Sequence, residues 1–335
     1  MKPPRLILPE DMELLGRDAR DLAKLKNKGK LVKVRRAVYA DAVEWKAMDQ
    51  PSQYGLRAAA YHIRSKLPPV FCHATAALVW GLWLVGRPEE SLHCITESAT
   101  GGRSHDDVTC HIGSVTEGVV QCGELLLTDK LTTTMQLIAS LTFERAVAAC
   151  DSSLHEPLRR KVENTFTPPG VSSGIFEPSW KNDHPQGPPL LKAELTAAAE
   201  QLTSKAARNR AVAVIEFASG LSGSAGESLS RVRMARLGFV APELQHKFVL
   251  RDGSPAFTDF WFEEQRRVGE FDGRAKYLRA DWGNGLSLEN RILKEKDRED
   301  QIRAQNVGVF RWTWDEMMNL RGFERLLRQA GIPQK

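Results

Sequence analysis

The chain has 335 residues, of which 42% are apolar and 27% charged, and its formal net charge is +5. These values are ordinary for a globular protein, and the length predicts two or three domains rather than one. No apolar run approaches the ~18 residues of a membrane span, and the first residues lack a signal-peptide pattern, so we expect a cytoplasmic protein with no membrane association. The five cysteines are an odd number, and we expect them as reduced thiols rather than as a disulfide framework. The mild excess of positive charge permits an anionic partner without requiring one.

The first predicted segment, residues 1–60, is strongly basic, because the stretch 17–36 holds nine Lys and Arg residues and two acids. A short helix that Gly29 ends, followed by the alternating residues 30–40, is the pattern of a winged helix-turn-helix. In that fold the charges of the β-hairpin, or wing, meet DNA phosphates. The candidate DNA-binding residues are Lys30, Lys33, Arg35 and Arg36. The alternative is a solvated basic surface without a nucleic-acid partner.

The second segment, residues 61–164, alternates between helix and strand patterns, which predicts an α+β domain without obvious chemistry. The expected elements are a helix at 73–80, strands at 91–96 and 108–115, and one long helix or two at 132–150. The third segment, residues 165–222, is a proline-rich linker followed by alanine-rich stretches that predict two helices.

Four residues of the middle segment invite a zinc hypothesis. They are Cys94, Cys110, His111 and Cys122. The set lacks the paired C-x-x-C element of most structural zinc sites, and the adjacent Cys110 and His111 should point to opposite faces of their strand. We therefore expect small buried thiols here rather than a metal site. His73 stands ahead of an apolar helix and is expected to cap that helix or pack in the core.

The fourth segment, residues 223–335, has the predicted order α-β-β-β-α-β-α. The expected elements are a helix at 227–238, strands at 244–250, 256–262 and 266–271, a helix at 286–306, a strand at 309–313 and a helix at 314–330. Asp252 and Gly253 form a strong hairpin signal between the first two strands. The chain as a whole is thus predicted to be a multidomain α+β protein, with an N-terminal winged helix-turn-helix, an α+β middle and a C-terminal α/β domain.

Acidic residues of the second and third of these strands are predicted to converge. A symmetric turn around Glu264 and Gln265 places Asp259 directly opposite Glu270, with Cβ atoms ~4.5–5.5 Å apart. Asp272 is two residues beyond Glu270 and points to the same face. Three carboxylates on one inner face repel each other unless a cation neutralises them, and Mg²⁺ or Mn²⁺ suits carboxylate oxygens. A metal held in this way activates water for attack on a phosphodiester.

Further candidate residues surround these acids. Glu227, at the start of the preceding helix, adds a fourth carboxylate. Lys276 follows the third strand and is placed to hold a phosphate or orient the water. Lys296 and Arg298 lie on the later helix, and Lys296 belongs to a helical stripe that we expect to face the sheet. The alternative is that these residues are solvated or structural charges without a metal.

Residues 223–315 resemble an actinobacterial group of proteins with a Vsr-like PD-(D/E)XK domain, named for the very-short-patch-repair endonuclease. The matching strings are GESLSRVRMARLGFVAPELQ, TDFWF, VGEFDGRAKY, EKDRED and VFRWTWDE. The first part of the chain resembles the N-terminal region of AbiEi-type antitoxins through GKLVKVRRAVYA and HATAALVWGL. The two resemblances leave the linker uncovered.

The resemblances imply a winged-helix DNA-binding head and a nuclease-fold tail. They place Asp259 and Glu270 in the metal-binding positions and Glu227 in that of the helix acid. The nuclease motif expects Glu-x-Lys, and here Asp272 occupies the position of the lysine. AbiEi-type antitoxins also pair with a nucleotidyltransferase toxin and repress their own operon, although nothing in this sequence shows such a partner.

Two functions follow as hypotheses. The first is a Mg²⁺-dependent DNA endonuclease, in phage defence or DNA processing, in which Lys276 or Lys296 substitutes for the missing lysine. The second is a non-catalytic DNA-binding antitoxin or transcriptional regulator with a degenerate nuclease fold. The enzyme requires Asp259 and Glu270 within metal-bridging distance and a lysine nearby, whereas the regulator requires only the basic head.

Overall fold

The structure is a computed structural model that describes residues 5–14, 16, 18, 20–86, 90–97, 107–156, 187–273 and 288–335. The chain divides into two compact units. Unit 1 contains Met1–Thr142 and Pro157–Glu216, and unit 2 contains Phe143–Glu156 and Phe217–Lys335. Both units combine helices with β-sheet, which confirms the predicted α+β class. None of the helices in the described ranges has the length and apolar character needed to cross a membrane.

The helices and strands are numbered in chain order through both units. The helices are α1 (Pro9–Leu14), α2 (Arg20–Asn27), α3 (Ala42–Ala47), α4 (Gln50–Arg64), α5 (His73–Trp80), α6 (Lys130–Ser140), α7 (Phe143–Leu154), α8 (Lys192–Glu200), α9 (Lys205–Phe217), α10 (Ala225–Arg236), α11 (Leu288–Arg303), α12 (Trp314–Met318) and α13 (Leu320–Gln329). The strands are β1 (Leu31–Arg35), β2 (Val38–Asp41), β3 (Val70–Phe71), β4 (Leu92–Thr96), β5 (Val108–Ile112), β6 (Val119–Cys122), β7 (Leu125–Thr128), β8 (Glu243–Val249), β9 (Pro255–Phe262), β10 (Arg267–Asp272) and β11 (Gly308–Thr313).

The N-terminal part of unit 1 has the order of helix and hairpin predicted from the sequence. Strands β1 and β2 pair antiparallel, and Ile7 forms an isolated bridge to Tyr39 beside them. Met12 of α1, Leu22 of α2 and Leu31 of β1 make a small buried core beneath this hairpin. The basic residues of β1 therefore stand on a hairpin that a local apolar core supports.

The larger sheet of unit 1 has the strand order β5-β4-β3-β7-β6. The short central strand β3 lies parallel to β7 and antiparallel to β4, and β4 lies parallel to β5. Helix α5 follows β3 directly and is buried from Ala74 to Trp80, as its apolar sequence requires. Gly81 ends α5 in the left-handed conformation, with φ 72°. The sheet contributes the buried side chains Phe71 of β3 and Leu92 of β4.

The sheet of unit 2 has the strand order β11-β10-β9-β8. Strands β8, β9 and β10 are antiparallel neighbours, whereas β10 and β11 are parallel. Short turns suffice for the antiparallel pairs, and the first of them contains Asp252 and Gly253 as predicted. The parallel pair needs a longer crossover, which includes α11. The last predicted helix is two helices, because the Asn319 side chain caps the start of α13.

Helix α10 packs on one face of this sheet. Gly226 lies so close to Phe271 that a Cβ atom at position 226 would overlap the aromatic ring. One turn further on, Ser230 Oγ accepts a hydrogen bond of 2.8 Å from the indole N–H of the buried Trp312. These contacts hold the N-terminus of α10 against the end of β10.

Helix α11 is associated with the opposite face. Its buried Ile302 belongs to an apolar cluster with Trp261 of β9 and Val268 of β10. Val268 and Glu270 are two residues apart on β10, so both project to the α11 side of the sheet. The carboxylate of Glu270 is therefore directed toward α11.

Helix α7 belongs to unit 2, although its residues fall within the predicted middle segment. Its Asp151 is fully buried and forms an ion pair of 2.8 Å with Arg231 of α10. Ser219 N and Ser222 Oγ also donate hydrogen bonds to this carboxylate, at 2.7 and 3.0 Å. Burial raises the pKa of Asp151, and these charged and polar partners oppose that shift. The bonds tie α7 to α10 within unit 2.

Candidate functional site

The hairpin of β9 and β10 has the register predicted from the sequence. Trp261 pairs with Val268 and Phe260 with Gly269, so the next residues, Asp259 and Glu270, stand beside each other across the two strands. Asp259 Oδ2 accepts the backbone N–H of Phe271 at 2.9 Å. The Asp259 carboxylate thus occupies the place of a strand carbonyl at the end of the hairpin.

Glu227 reaches the same end of the sheet from the first turn of α10. Its buried carboxylate accepts hydrogen bonds from Gly223 N at 2.6 Å and from Ser224 Oγ at 2.8 Å. Gln245 Nε2 lies 3.5 Å from Glu227 Oε2. Gln245 lies opposite Asp259 in the β8–β9 pair, because its two neighbours pair with the two neighbours of Asp259. Gln245 therefore lies beside both Glu227 and Asp259. Glu227 serves here as the acceptor that closes the start of α10.

Glu270 is bound by two arginines. It is only 9% exposed, and its two carboxylate oxygens lie 2.6 Å from Arg298 of α11 and 2.8 Å from Arg311 of β11. Burial lowers the pKa of Arg298, but the hydrogen bonds that it donates to Glu295 and the negative charge of Glu270 outweigh burial, so the net shift of the pKa is upward. Both arginines stay charged and neutralise the carboxylate in the way that we expected of a metal ion.

Two further glutamates of α11 extend this ion-pair network. Glu295 Oε1 lies 2.8 Å from Arg298 and 3.0 Å from Arg311, and Glu299 lies 2.8 Å from Arg311. Burial raises the pKa of Glu295, but its bonds to the two arginines prevail and lower it overall. Arg303 also lies 2.8 Å from Glu299. With Glu270 included, three carboxylates and three guanidinium groups therefore balance in charge.

The expectation that Lys296 faces the sheet is wrong, because Lys296 is exposed. The helical period turns Glu295, Arg298 and Ile302 toward the sheet instead. Lys296 follows Glu295 in the sequence, but its side chain points to solvent. Lys276, the other lysine candidate, lies outside the described residues.

Asp272 ends β10, where it is partly buried and pairs in register with Thr313 of β11. It is two residues from Glu270 and so projects to the same side, as predicted. A compact set of three carboxylates does not result. Within the described part of the chain, the group of three ligand atoms that lie within 4.8 Å of one another consists of Cys72, His73 and His111. A metal at the acids therefore requires Glu270 to exchange an arginine for the ion.

The four predicted DNA-binding residues of the head differ in their exposure to solvent. Lys30, Lys33 and Arg36 are exposed. Arg35 is instead mostly buried, with its guanidinium 2.6 Å from Asp107 and 4.4 Å above the ring of Tyr61. Its charge is therefore paired within unit 1, whereas Lys30, Lys33 and Arg36 are open to solvent.

The sequence does not single out Cys72, His73 and His111, because His111 lies far along the chain from the adjacent Cys72 and His73. The zinc candidates that it offers are Cys94, Cys110, His111 and Cys122, of which Cys94 and Cys110 pair with each other across β4 and β5. The useful signal was the Cys-His pair at a strand end together with histidines on two neighbouring strands. Burial, with the nearby His111 and His93, lowers the pKa of His73 to about 3, so its ring is neutral.

Comparison with known proteins adds no family to these observations, since no protein-family model matches the sequence and no curated protein is similar to it.

Proposed function

We propose that the protein is a cytoplasmic DNA-binding protein whose unit 2 is a Mg²⁺-dependent endonuclease domain of the PD-(D/E)XK type. One observation carries this proposal: α10 and the β9–β10 hairpin bring Glu227, Asp259 and Glu270 to one end of the unit 2 sheet, and the elements follow the chain order α-β-β-β-α-β that the sequence predicts. The motif strings around these acids, described above, point in the same direction. The biological setting that we propose is phage defence or DNA processing.

In this proposal Asp259, Glu270 and Asp272 hold the metal, and Glu227 keeps the start of α10 in place beside them. Mg²⁺, or Mn²⁺, would supply an activated water and would stabilise the charge that develops on the cleaved phosphodiester. Ion pairs with Arg298 and Arg311 hold the nearly buried Glu270 at this end of the sheet, so it would bind the metal after one arginine is displaced.

Positive charge beside the acids comes from Arg298 and Arg311 in the described part of unit 2. Guanidinium groups bind phosphate oxygens through two parallel hydrogen bonds, so either side chain is suited to a DNA phosphate once it is released from Glu270. Asp272 replaces the lysine of the nuclease motif, and we propose that these arginines provide part of the missing charge. Lys276 remains a candidate for the rest.

The head of unit 1 is proposed to bind duplex DNA as a winged helix. Lys33 and Arg36 are exposed on and beside strand β1, and Lys30 precedes it. Lysine and arginine on a wing contact phosphates and hold the duplex without reading its sequence. Arg35 has a supporting role, because it braces the hairpin through Asp107.

A second candidate function is a non-catalytic DNA-binding regulator of the antitoxin type, with a toxin as its protein partner. The ion pairs of Glu270 favour it, because a carboxylate satisfied by two arginines has no need of a metal. In this case unit 2 would keep the nuclease fold as a binding surface and the head would contact the operator.

Cleavage of plasmid, single-stranded DNA and RNA with Mg²⁺ or Mn²⁺ separates the two candidates. We expect the wild type to cut and Asp259→Asn to lose cleavage while it still binds DNA. Glu264→Gln is the matched control, because Glu264 is an exposed acid in the turn of the same hairpin. A wild type that cuts none of these substrates, or an Asp259→Asn variant as active as Glu264→Gln, would overturn the endonuclease proposal.

A further inference from the structure

A second group of chemically active side chains lies in unit 1, at the carboxyl end of β3. Cys72 and His73 follow β3 at the start of α5, while His93 and His111 come from β4 and β5. Strands β4 and β5 are parallel, with Ile95 opposite His111, so the alternating His93 and His111 project to one face of the sheet. Four potential nitrogen and sulfur ligands therefore meet beside this face.

The distances within the group are short. His73 Nδ1 lies 3.2 Å from Cys72 Sγ, and the rings of His73 and His111 stack with centroids 3.7 Å apart. One ligand atom from each of Cys72, His73 and His111 lies within 4.8 Å of the other two. His93 Nδ1 is 2.8 Å from His111 Nε2.

The backbone fixes the first two members. Cys72 N donates to the carbonyl oxygen of His93 at 3.0 Å, and His73 N donates to Gln136 Oε1 at 2.9 Å. His73 also has a φ of 47°, a left-handed conformation that few residues other than glycine adopt. This conformation turns the chain sharply between strand and helix and presents the Cys72 and His73 side chains together.

We propose that Cys72, His73 and His111 bind a zinc ion, in a site that is separate from the acids of unit 2. Thiolate sulfur and imidazole nitrogen are the donors that zinc prefers in proteins. Zinc bonds of about 2.3 Å to sulfur and about 2.0–2.1 Å to nitrogen imply that ligand atoms of a tetrahedral site are ~3.3–3.6 Å apart. The 3.2 Å separation of Sγ and Nδ1 is close to this value. The His73 and His111 rings, which are stacked at an interplanar angle of 18°, would turn toward each other to share the ion, starting from ligand atoms within 4.8 Å.

His93 is a positioning residue in this proposal. Its ring nitrogen fixes the orientation of the His111 ring through the 2.8 Å contact, as the partners of zinc-bound imidazoles do. Zinc with three protein ligands keeps a fourth position for water or another ligand. The proposal is independent of the endonuclease proposal, because it concerns residues of unit 1 alone.

The test is metal binding by the full-length protein after treatment with a chelator. We expect the wild type to bind one Zn²⁺ in competition with a chromophoric chelator. Cys72→Ser, His73→Asn and His111→Ala should each weaken binding by more than ~100-fold, and His93→Ala by ~10–100-fold, the usual effect of losing an orienting partner. Asn is chosen at position 73 because it tolerates positive φ.

Cys122→Ser is the matched control, since Cys122 lies on β6 at the opposite edge of the same sheet. Cobalt provides a second measurement: Co²⁺ should give the wild type a sulfur-to-metal charge-transfer band that is absent from Cys72→Ser. Absence of stoichiometric zinc uptake, a Co²⁺ spectrum without that band, or equal affinities in the ligand variants and in Cys122→Ser would overturn the proposal. Such a result would leave the histidines as a packed, hydrogen-bonded group.

Discussion

Replacing Glu270 by glutamine tests whether its carboxylate is the structural partner of two arginines when no metal is bound. Removing one partner of a buried ion pair costs ~3–5 kcal/mol. The side chains of Arg298 and Arg311 are 23% and 29% exposed, and both keep Glu295, so we expect a smaller loss of about 2 kcal/mol. If repulsion from the neighbouring acids dominated instead, Glu270→Gln would stabilise unit 2.

Hydrogen exchange of peptides from β9 and β10 measures this loss where it occurs. A decrease of about 2 kcal/mol corresponds to roughly 30-fold faster exchange of amides that open with unit 2. Glu264→Gln should change stability by no more than ~0.5 kcal/mol, because Glu264 is exposed. Exchange in Glu270→Gln that is as slow as in the wild type, or slower, would refute the structural role of the ion pairs.

Three further predictions concern other parts of the chain. Changing Lys33 and Arg36 together to Ala should weaken duplex binding and reduce the slope of log K against log [salt] by ~1.8, as measured by fluorescence anisotropy. Arg35→Ala should instead lower the melting temperature of unit 1, as measured in thermal melts. Burial lowers the pKa of Lys130 from 10.5 to about 8. Between pH 8 and pH 10.5 the unfolded chain therefore binds more protons than the folded chain, so the stability of the fold should rise with pH across that window. Thermal melts at about pH 7 and pH 9.5 should show this rise in the wild type and not in Lys130→Met. Asp151→Ala should destabilise unit 2 by ~3–5 kcal/mol in denaturant titrations, because it leaves a largely buried arginine unpaired.

The strands and helices of unit 2 could be predicted from sequence because their signals are local. The Asp252 and Gly253 turn, the alternating strands and the apolar period of the helices each lie within a few residues. Local sequence patterns do not predict that α7 belongs to unit 2. It depends on the pairing of Asp151 with Arg231, residues 80 positions apart, and no local pattern specifies such a pair.

The candidate site was predictable to the same extent. The symmetry of the turn around Glu264 was sufficient to place Asp259 beside Glu270. The arginine partners of Glu270 depend on the rotation of α11 about its axis and on the parallel docking of β11, both of which tertiary packing decides. Successive residues of a helix are rotated by about 100°, so Lys296 and Arg298 point in different directions, and it is Arg298 that reaches Glu270.

If unit 2 is the proposed endonuclease, its arginines predict that metal and DNA bind cooperatively. Glu270 can ligate a metal only by giving up charged hydrogen bonds worth ~1.5–3 kcal/mol each, and released guanidinium groups need another acceptor. DNA phosphates provide one, so a duplex should relieve the cost of metal entry. Reciprocity then requires the metal to strengthen DNA binding by the same factor.

We expect Mg²⁺ to protect β10 from hydrogen exchange at lower concentration when a duplex is present, and not to protect Glu270→Gln in either case. Equal Mg²⁺ dependence with and without DNA would show that the arginines do not couple the two ligands, and a wild type that Mg²⁺ and Mn²⁺ fail to protect even with DNA would favour the regulator.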